Sequence, residues 1–102
     1  MQEENIPIKK RRVLVLMSTY NGERYLKEQV DSILDQNGVA ITLLIRDDGS
    51  TDHTVDILNE YANNHDNIHV IKGKNIGVKR SFFSLMQEGA KLEADYEVNP
   101  ES

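Results

Sequence analysis

The stretch Val39-Ala40-Ile41-Thr42-Leu43-Leu44-Ile45-Arg46-Asp47-Asp48-Gly49-Ser50-Thr51-Asp52 decides the fold. Its apolar run, Val39 to Ile45, stops abruptly at Arg46-Asp47-Asp48-Gly49-Ser50. A short run bounded by turn residues predicts a strand covered on both faces, as in a parallel sheet. Ser50 or Thr51 can cap a following helix, with Asp52 in its first turn, where a carboxylate meets the positive end of the helix dipole. Val55, Leu58, Tyr61 and Ala62 give that helix a buried stripe, and Asn63-Asn64 with His65 to Asn67 close it and turn the chain.

Working upstream, Val13-Leu14-Val15-Leu16-Met17 is a second apolar run of strand length, broken by Asn21-Gly22. From Glu23 the apolar residues Leu26, Val30, Ile33 and Leu34 lie on one helical face, and Asn37-Gly38 ends that helix. Downstream, Ile68 to Ile71 is a third, weaker strand and Gly73 to Gly77 a loop. Val78, Phe82, Leu85 and Met86 then mark a third amphipathic helix running to about Gly89 or Lys91. The order β-α-β-α-β-α with short connections predicts an α/β, three-layer Rossmann-like unit with a mainly parallel sheet. Ligands of such sheets bind at the carboxyl ends of the strands, which places the loops beginning at Ser18, Asp47 and Lys72 on the functional edge.

Composition narrows the function classes. The chain of 102 residues has room for one domain with one modest core. Its net charge of −5 argues against nonspecific nucleic-acid binding, which needs a basic face. Without cysteine, neither a disulfide framework nor a thiolate metal site can form. No apolar stretch approaches the roughly 20 residues that span a bilayer, and the polar segment Met1 to Arg12 lacks the apolar centre of a signal peptide. These features predict a cytoplasmic protein. Lys9, Lys10, Arg11 and Arg12 form the one basic cluster, read as a solvated tail before the first strand, the alternative being a weak attraction for an anionic membrane surface.

Three loop motifs carry chemistry. Ser18-Thr19-Tyr20-Asn21-Gly22-Glu23-Arg24 follows the first strand, where neither Gly-x-Gly-x-x-Gly nor a Gly-Lys-Ser/Thr ending is found. Dinucleotide and P-loop ATP readings therefore lose their support, whereas a tyrosine at a strand end can stack on a planar base. In Asp47-Asp48-Gly49-Ser50, a turn and a helix cap account for one carboxylate but hardly both. A carboxylate there can accept a hydrogen bond from the imide N–H of uracil or thymine, or from a ribose hydroxyl. Asn75-Ile76-Gly77-Val78-Lys79-Arg80-Ser81 opens the third helix, whose backbone N–H groups attract phosphate. His53, His65 and His69 share no face with metal-ligand spacing.

Together and in this order, Ser18 to Leu26, Asp47 to Asp52 and Asn75-Ile76-Gly77 with Arg80-Ser81-Phe82 resemble the opening of a family 2 glycosyltransferase, in the flavour of its rhamnosyltransferase-like members. The resemblance covers about residues 12 to 96. It implies the N-terminal part of a GT-A fold that binds a nucleotide-diphosphate sugar, UDP- or dTDP-linked, for cell-surface polysaccharide synthesis. It places Ser18 and Tyr20 at the base with Glu23 nearby, Asp48 on the base or ribose, and Asp47 in shaping that loop. Asn75, Gly77 and Arg80 fall toward the nucleotide or sugar, and Ser81 stands where the family carries asparagine.

The same resemblance implies that Ala94-Asp95-Tyr96 leads into a fourth strand ending in an acidic Asp-x-Asp motif, which holds Mg²⁺ or Mn²⁺ on the diphosphate. A catalytic base for inverting transfer follows further on. The sequence instead reads Glu97-Val98-Asn99-Pro100-Glu101-Ser102. The expectation is therefore a tail at 1–11, a truncated nucleotide-sugar-binding domain at 12–96 and a tail at 97–102. No cofactor is held by this chain, no catalytic residue is present, and the isolated chain does not transfer sugar. An uncovered first-strand edge then predicts self-association, or Asp95 to Val98 folding back over it. The rival readings are a nonenzymatic nucleotide- or sugar-binding module, and a receiver-like domain with Asp47 and Asp48 in a Mg²⁺ pocket. The latter needs a further aspartate where the third strand runs into Lys72-Gly73.

Overall fold

Alternation along the strands sorts their side chains into two layers. In a computed structural model, which describes residues 11–98, Arg11–Thr19 forms β1, Val39–Asp48 β2 and Ile68–Gly73 β3. Glu23–Leu34 forms α1, Thr54–Asn64 α2 and Val78–Val98 α3. All strand pairs are parallel, in the order β1-β2-β3, with Val15 opposite Leu43 and Ile45 opposite Val70. The Rossmann-like α/β expectation holds.

Odd-numbered positions of β1 and β2 face α1 and α2. Met17, Leu43 and Ile45 pack there with Leu26 and Val30 of α1, Leu58 of α2 and Ile68 of β3, forming the main core. On the outer side of the two helices the Tyr61 hydroxyl donates to Asp31 Oδ1 at 2.6 Å, and Lys27 bonds Asp31 Oδ2 at 2.7 Å. Burial and the Asp31 carboxylate together push the Tyr61 phenol up to about 12.

Even-numbered positions face α3. Its buried stripe is Ser81, Leu85 and Gly89, spaced i, i+4 and i+8, and a side chain at Gly89 would press on Leu14 and Leu16. This corrects the expected stripe: Leu85 is buried, but Val78, Phe82 and Met86 are exposed. Small residues let the helix axis approach the sheet, and approach decides which face is inner.

Boundaries shift as well. β1 takes in Arg11, expected in the tail, and β2 and β3 run two or more residues beyond their apolar runs, to Asp48 and Gly73. Asp47 and Asp48 are thus strand residues. The α2 cap expected at Ser50 or Thr51 falls instead at His53, while Asp52 Oδ1 accepts the Thr54 N–H at 2.9 Å. α3 continues to Val98, so Asp95 to Val98 lie in a helix rather than folding back as an edge strand, and Glu97 is not in a tail. The remaining tail residues, Lys9 and Lys10 among them, lie outside the described residues. No described helix is long and apolar enough to cross a membrane.

Candidate functional site

Thr19, Asp48 and Gly73 end the three parallel strands on one edge of the sheet. Because neighbours in a strand point to opposite faces, the adjacent carboxylates part company there. Asp47, 1% exposed, turns to the α1–α2 side. Its Oδ1 accepts from the Thr19 hydroxyl at 2.8 Å and the Ser50 hydroxyl at 2.6 Å, and its Oδ2 from the Ser50 N–H at 2.8 Å. Asp48, 3% exposed, turns to the α3 side. Its Oδ1 accepts from Arg46 Nη1 at 3.0 Å and the Ile76 N–H at 2.8 Å, and its Oδ2 from the Gly77 N–H at 3.1 Å. Burial works to raise the Asp48 carboxyl, but the Ile76 and Gly77 amides and the Arg46 guanidinium outweigh it and hold the group below the usual carboxylate range.

The loops after β1 and β2 are laced together. Asn21 adopts a left-handed backbone, φ 47°, which a short polar side chain tolerates. Its N–H donates to Ser50 Oγ at 2.8 Å and its Oδ1 accepts the Thr51 N–H at 2.8 Å. The Gly22 N–H reaches Thr54 Oγ1 at 2.9 Å. Glu23 Oε1 accepts the His53 N–H at 3.3 Å, and its Oε2 lies 3.4 Å from His53 Nδ1. Gly49 brings the third loop in: its φ is +80°, and a Cβ there would lie 2.9 Å from the Asn75 nitrogen.

The convergence leaves a cleft of ≈430 Å³ lined by Ser18, Thr19, Tyr20, Asp48, Asn75, Gly77 and Val78. Five of the eight expected residues, Ser18, Tyr20, Asp48, Asn75 and Gly77, therefore share one wall. Asp47 lies beneath it, Glu23 is engaged with His53, and Arg80 is exposed on α3 outside the lining. A larger hollow of ≈670 Å³ lies along α1 beside His65, away from the strand ends. The strand-end cleft is the better candidate, since it gathers an exposed aromatic ring, hydroxyls and a carboxylate at the edge where parallel sheets bind ligands. Among the described residues no three His, Asp or Glu side chains are gathered for a cation. With Asp47 and Asp48 committed to internal donors, the residues here do not fit a resident Mg²⁺ or Mn²⁺.

Two residues of this region were quoted in the sequence reading but given no role. Arg46, 6% exposed, sends Nη1 to Ser81 Oγ at 2.9 Å besides Asp48, and Nη2 to the Lys74 carbonyl at 3.3 Å. Ser81, fully buried, also bonds Ser18 Oγ at 2.8 Å. The signal for Arg46 was a cation two residues before Asp48, on the same strand face. For Ser81 it was the spacing to Leu85 and Gly89.

Known proteins share this fold. A mannosyltransferase from Pyrobaculum calidifontis, solved in complex with GDP-Man and Mn²⁺, superposes with a TM-score of 0.68 over 80% of this chain and 25% of its own, at 20% identity. The fold is accordingly that of the N-terminal part of a GT-A glycosyltransferase. The family model for glycosyl transferase family 2 matches residues 14–83, and the chain belongs to that family. The dTDP-rhamnosyl transferase RfbG of Shigella flexneri is 35% identical over 83 residues, 78% of this chain and 29% of its own length. The putative teichuronic acid biosynthesis glycosyltransferase TuaG of Bacillus subtilis is 41% identical over 59 residues, 58% and 23% respectively. The chain thus spans under a third of these relatives.

Proposed function

We propose that this chain supplies the nucleotide-binding portion of a glycosyltransferase that moves a sugar from a UDP- or dTDP-linked donor onto an acceptor of a cell-surface polysaccharide. The observation that carries the reading is the meeting of the end of β2 with the residues following β1 and β3 in the cleft of Ser18, Tyr20, Asp48, Asn75 and Gly77. Tyr20, 51% exposed, offers its ring to a base. A carboxylate has about four acceptor positions, and Asp48 uses three on Arg46, Ile76 and Gly77, which leaves one on Oδ2 for an imide N–H or a ribose hydroxyl. Asp47 shapes the loop beneath. Glu23 acts indirectly, by bracing the rim through His53, and Arg80 reaches only the sugar-phosphate end.

Transfer itself, with inversion at the sugar, belongs to the whole protein. A divalent cation and a catalytic base are likewise roles of the whole protein. The 102-residue chain alone binds nucleotide without transferring sugar, acts in the cytoplasm near the inner face of the membrane, and pairs with itself through the open edge of β1.

The test is calorimetric titration of UDP, dTDP and GDP into the chain and its Tyr20→Ala variant. Loss of base stacking, worth about 1–3 kcal/mol, should weaken pyrimidine-nucleotide binding by roughly 5- to 150-fold while the fold persists, since the ring is exposed. Equal affinity of both proteins would remove Tyr20 from the site, and no binding by either would end the reading.

A further inference from the structure

We infer that Arg46 is the positioning residue of the cleft: its buried guanidinium, laid across Gly73, fixes Asp48 and the loop from Lys74 to Gly77 in the arrangement that a nucleotide meets. The inference rests on the nucleotide-binding reading above.

One planar group with donors in a fixed fork joins four parts of the fold. From β2 it reaches Asp48 on its own strand, Ser81 on α3 and the Lys74 carbonyl in the third loop, and through Ser81 it reaches Ser18 on β1. Two of these residues, Ser18 and Asp48, line the cleft. Asp48 then passes the constraint on, because it captures the N–H groups of Ile76 and Gly77. Lysine has the charge, but its donors sit on one nitrogen and do not reproduce a fork whose Nη1 serves Asp48 and Ser81 while Nη2 serves the Lys74 carbonyl.

Stability alone does not explain this pair. Removing Arg46 by itself would leave the Asp48 carboxylate buried without its cation, yet replacing a buried ion pair as a whole with packed apolar groups is often neutral or stabilising. The end of β3 is also cut to suit the arginine. A Cβ at Gly73 would press on the guanidinium of Arg46, so a larger residue there must push the side chain off this path. A cation kept inside the sheet, with room made for it, is accounted for by what it orients.

The experiment compares the wild-type chain with Arg46→Met, Arg46→Lys and Gly73→Ala, and uses Ile45→Val and Ile45→Ala as controls. Ile45 is fully buried on the opposite face of the same strand, so its variants lower stability without touching the network. UDP and dTDP affinity, melting temperature and the amide proton shifts of Ile76 and Gly77 are read for each. All three test variants should lose about tenfold or more in affinity, as for loss of a charge-assisted network, and should move both amide signals upfield. Gly73→Ala does so with the charge intact, and with Arg46→Lys it keeps the test open if Arg46→Met fails to fold. The Ile45 variants should melt earlier, yet stay within about twofold in affinity with both amides in place. Wild-type affinity in Arg46→Met and Arg46→Lys, unmoved amides, or an equal affinity loss in Ile45 variants of matched stability would overturn the inference. A wild-type chain that binds neither nucleotide defeats the functional reading instead, and the amide shifts still decide whether Arg46 sets the loop.

Discussion

At the scale of single residues, the molecule depends on what adjacent carboxylates do when a strand sends them apart. Asp47 closes its own loop, whereas Asp48 ties the third loop to the sheet. The folded state holds the Asp48 carboxyl below its ordinary, unfolded value. The stability linked to this ionisation is therefore complete above the unfolded value and is lost as pH falls through the lower, folded one. Removing the charge strands Arg46 in the interior, so Asp48→Asn should cost about 3–5 kcal/mol at neutral pH. The gap should close in acid, where the wild type loses the same charge. Melting curves from pH 7 to about pH 2.5 check this, and a gap that does not change with pH would detach the Asp48 charge from stability.

At the scale of elements, the turns after β2 and before α1 carry opposite demands on glycine. Gly49 sits at φ +80° against the Asn75 nitrogen, while Gly22, at φ −109°, has nothing near its missing Cβ. Gly49→Ala should destabilise the fold by about 2 kcal/mol, combining left-handed strain with a backbone clash. Gly22→Ala should be neutral or stabilise slightly, by up to about 1 kcal/mol, since it restricts the unfolded chain. Parallel chemical denaturation of the two variants decides, and similar losses would show that the close approach of the second and third loops is not what Gly49 serves. α3 makes the related point for helices. Apolar residues lie on more than one of its faces, and the smallest stripe won the sheet.

At the scale of the whole molecule, the exposed surfaces are unevenly apolar. β1 pairs with β2 alone among the described strands, and α3 exposes Phe83 at 62% together with Val78, Phe82 and Met86. An open strand edge beside an apolar helix face is a template for association. The isolated chain should sediment as more than a monomer, with its weight-average mass rising over about a hundredfold concentration range, as mass action requires. A monomer throughout, with β1 amides exchanging freely, would count against pairing through that edge.

The amino-acid sequence by itself determined the order of elements and which strand ends the candidate loops would gather at. Short apolar runs, glycine-rich breaks and one helical period are local properties, and so were the loops of Ser18, Asp47 and Asn75 that those breaks exposed. Five of the eight residues named from them line one cleft. Tertiary structure alone decided the rest: which face of α3 is inner, where Glu23 turns, and that Arg46 and Ser81 belong beneath the cleft. Those outcomes depend on how closely two surfaces approach and on partners 28 to 63 residues away along the chain. No local pattern carries that information, because a side chain's burial and its hydrogen-bond partner are fixed only when the distant element arrives.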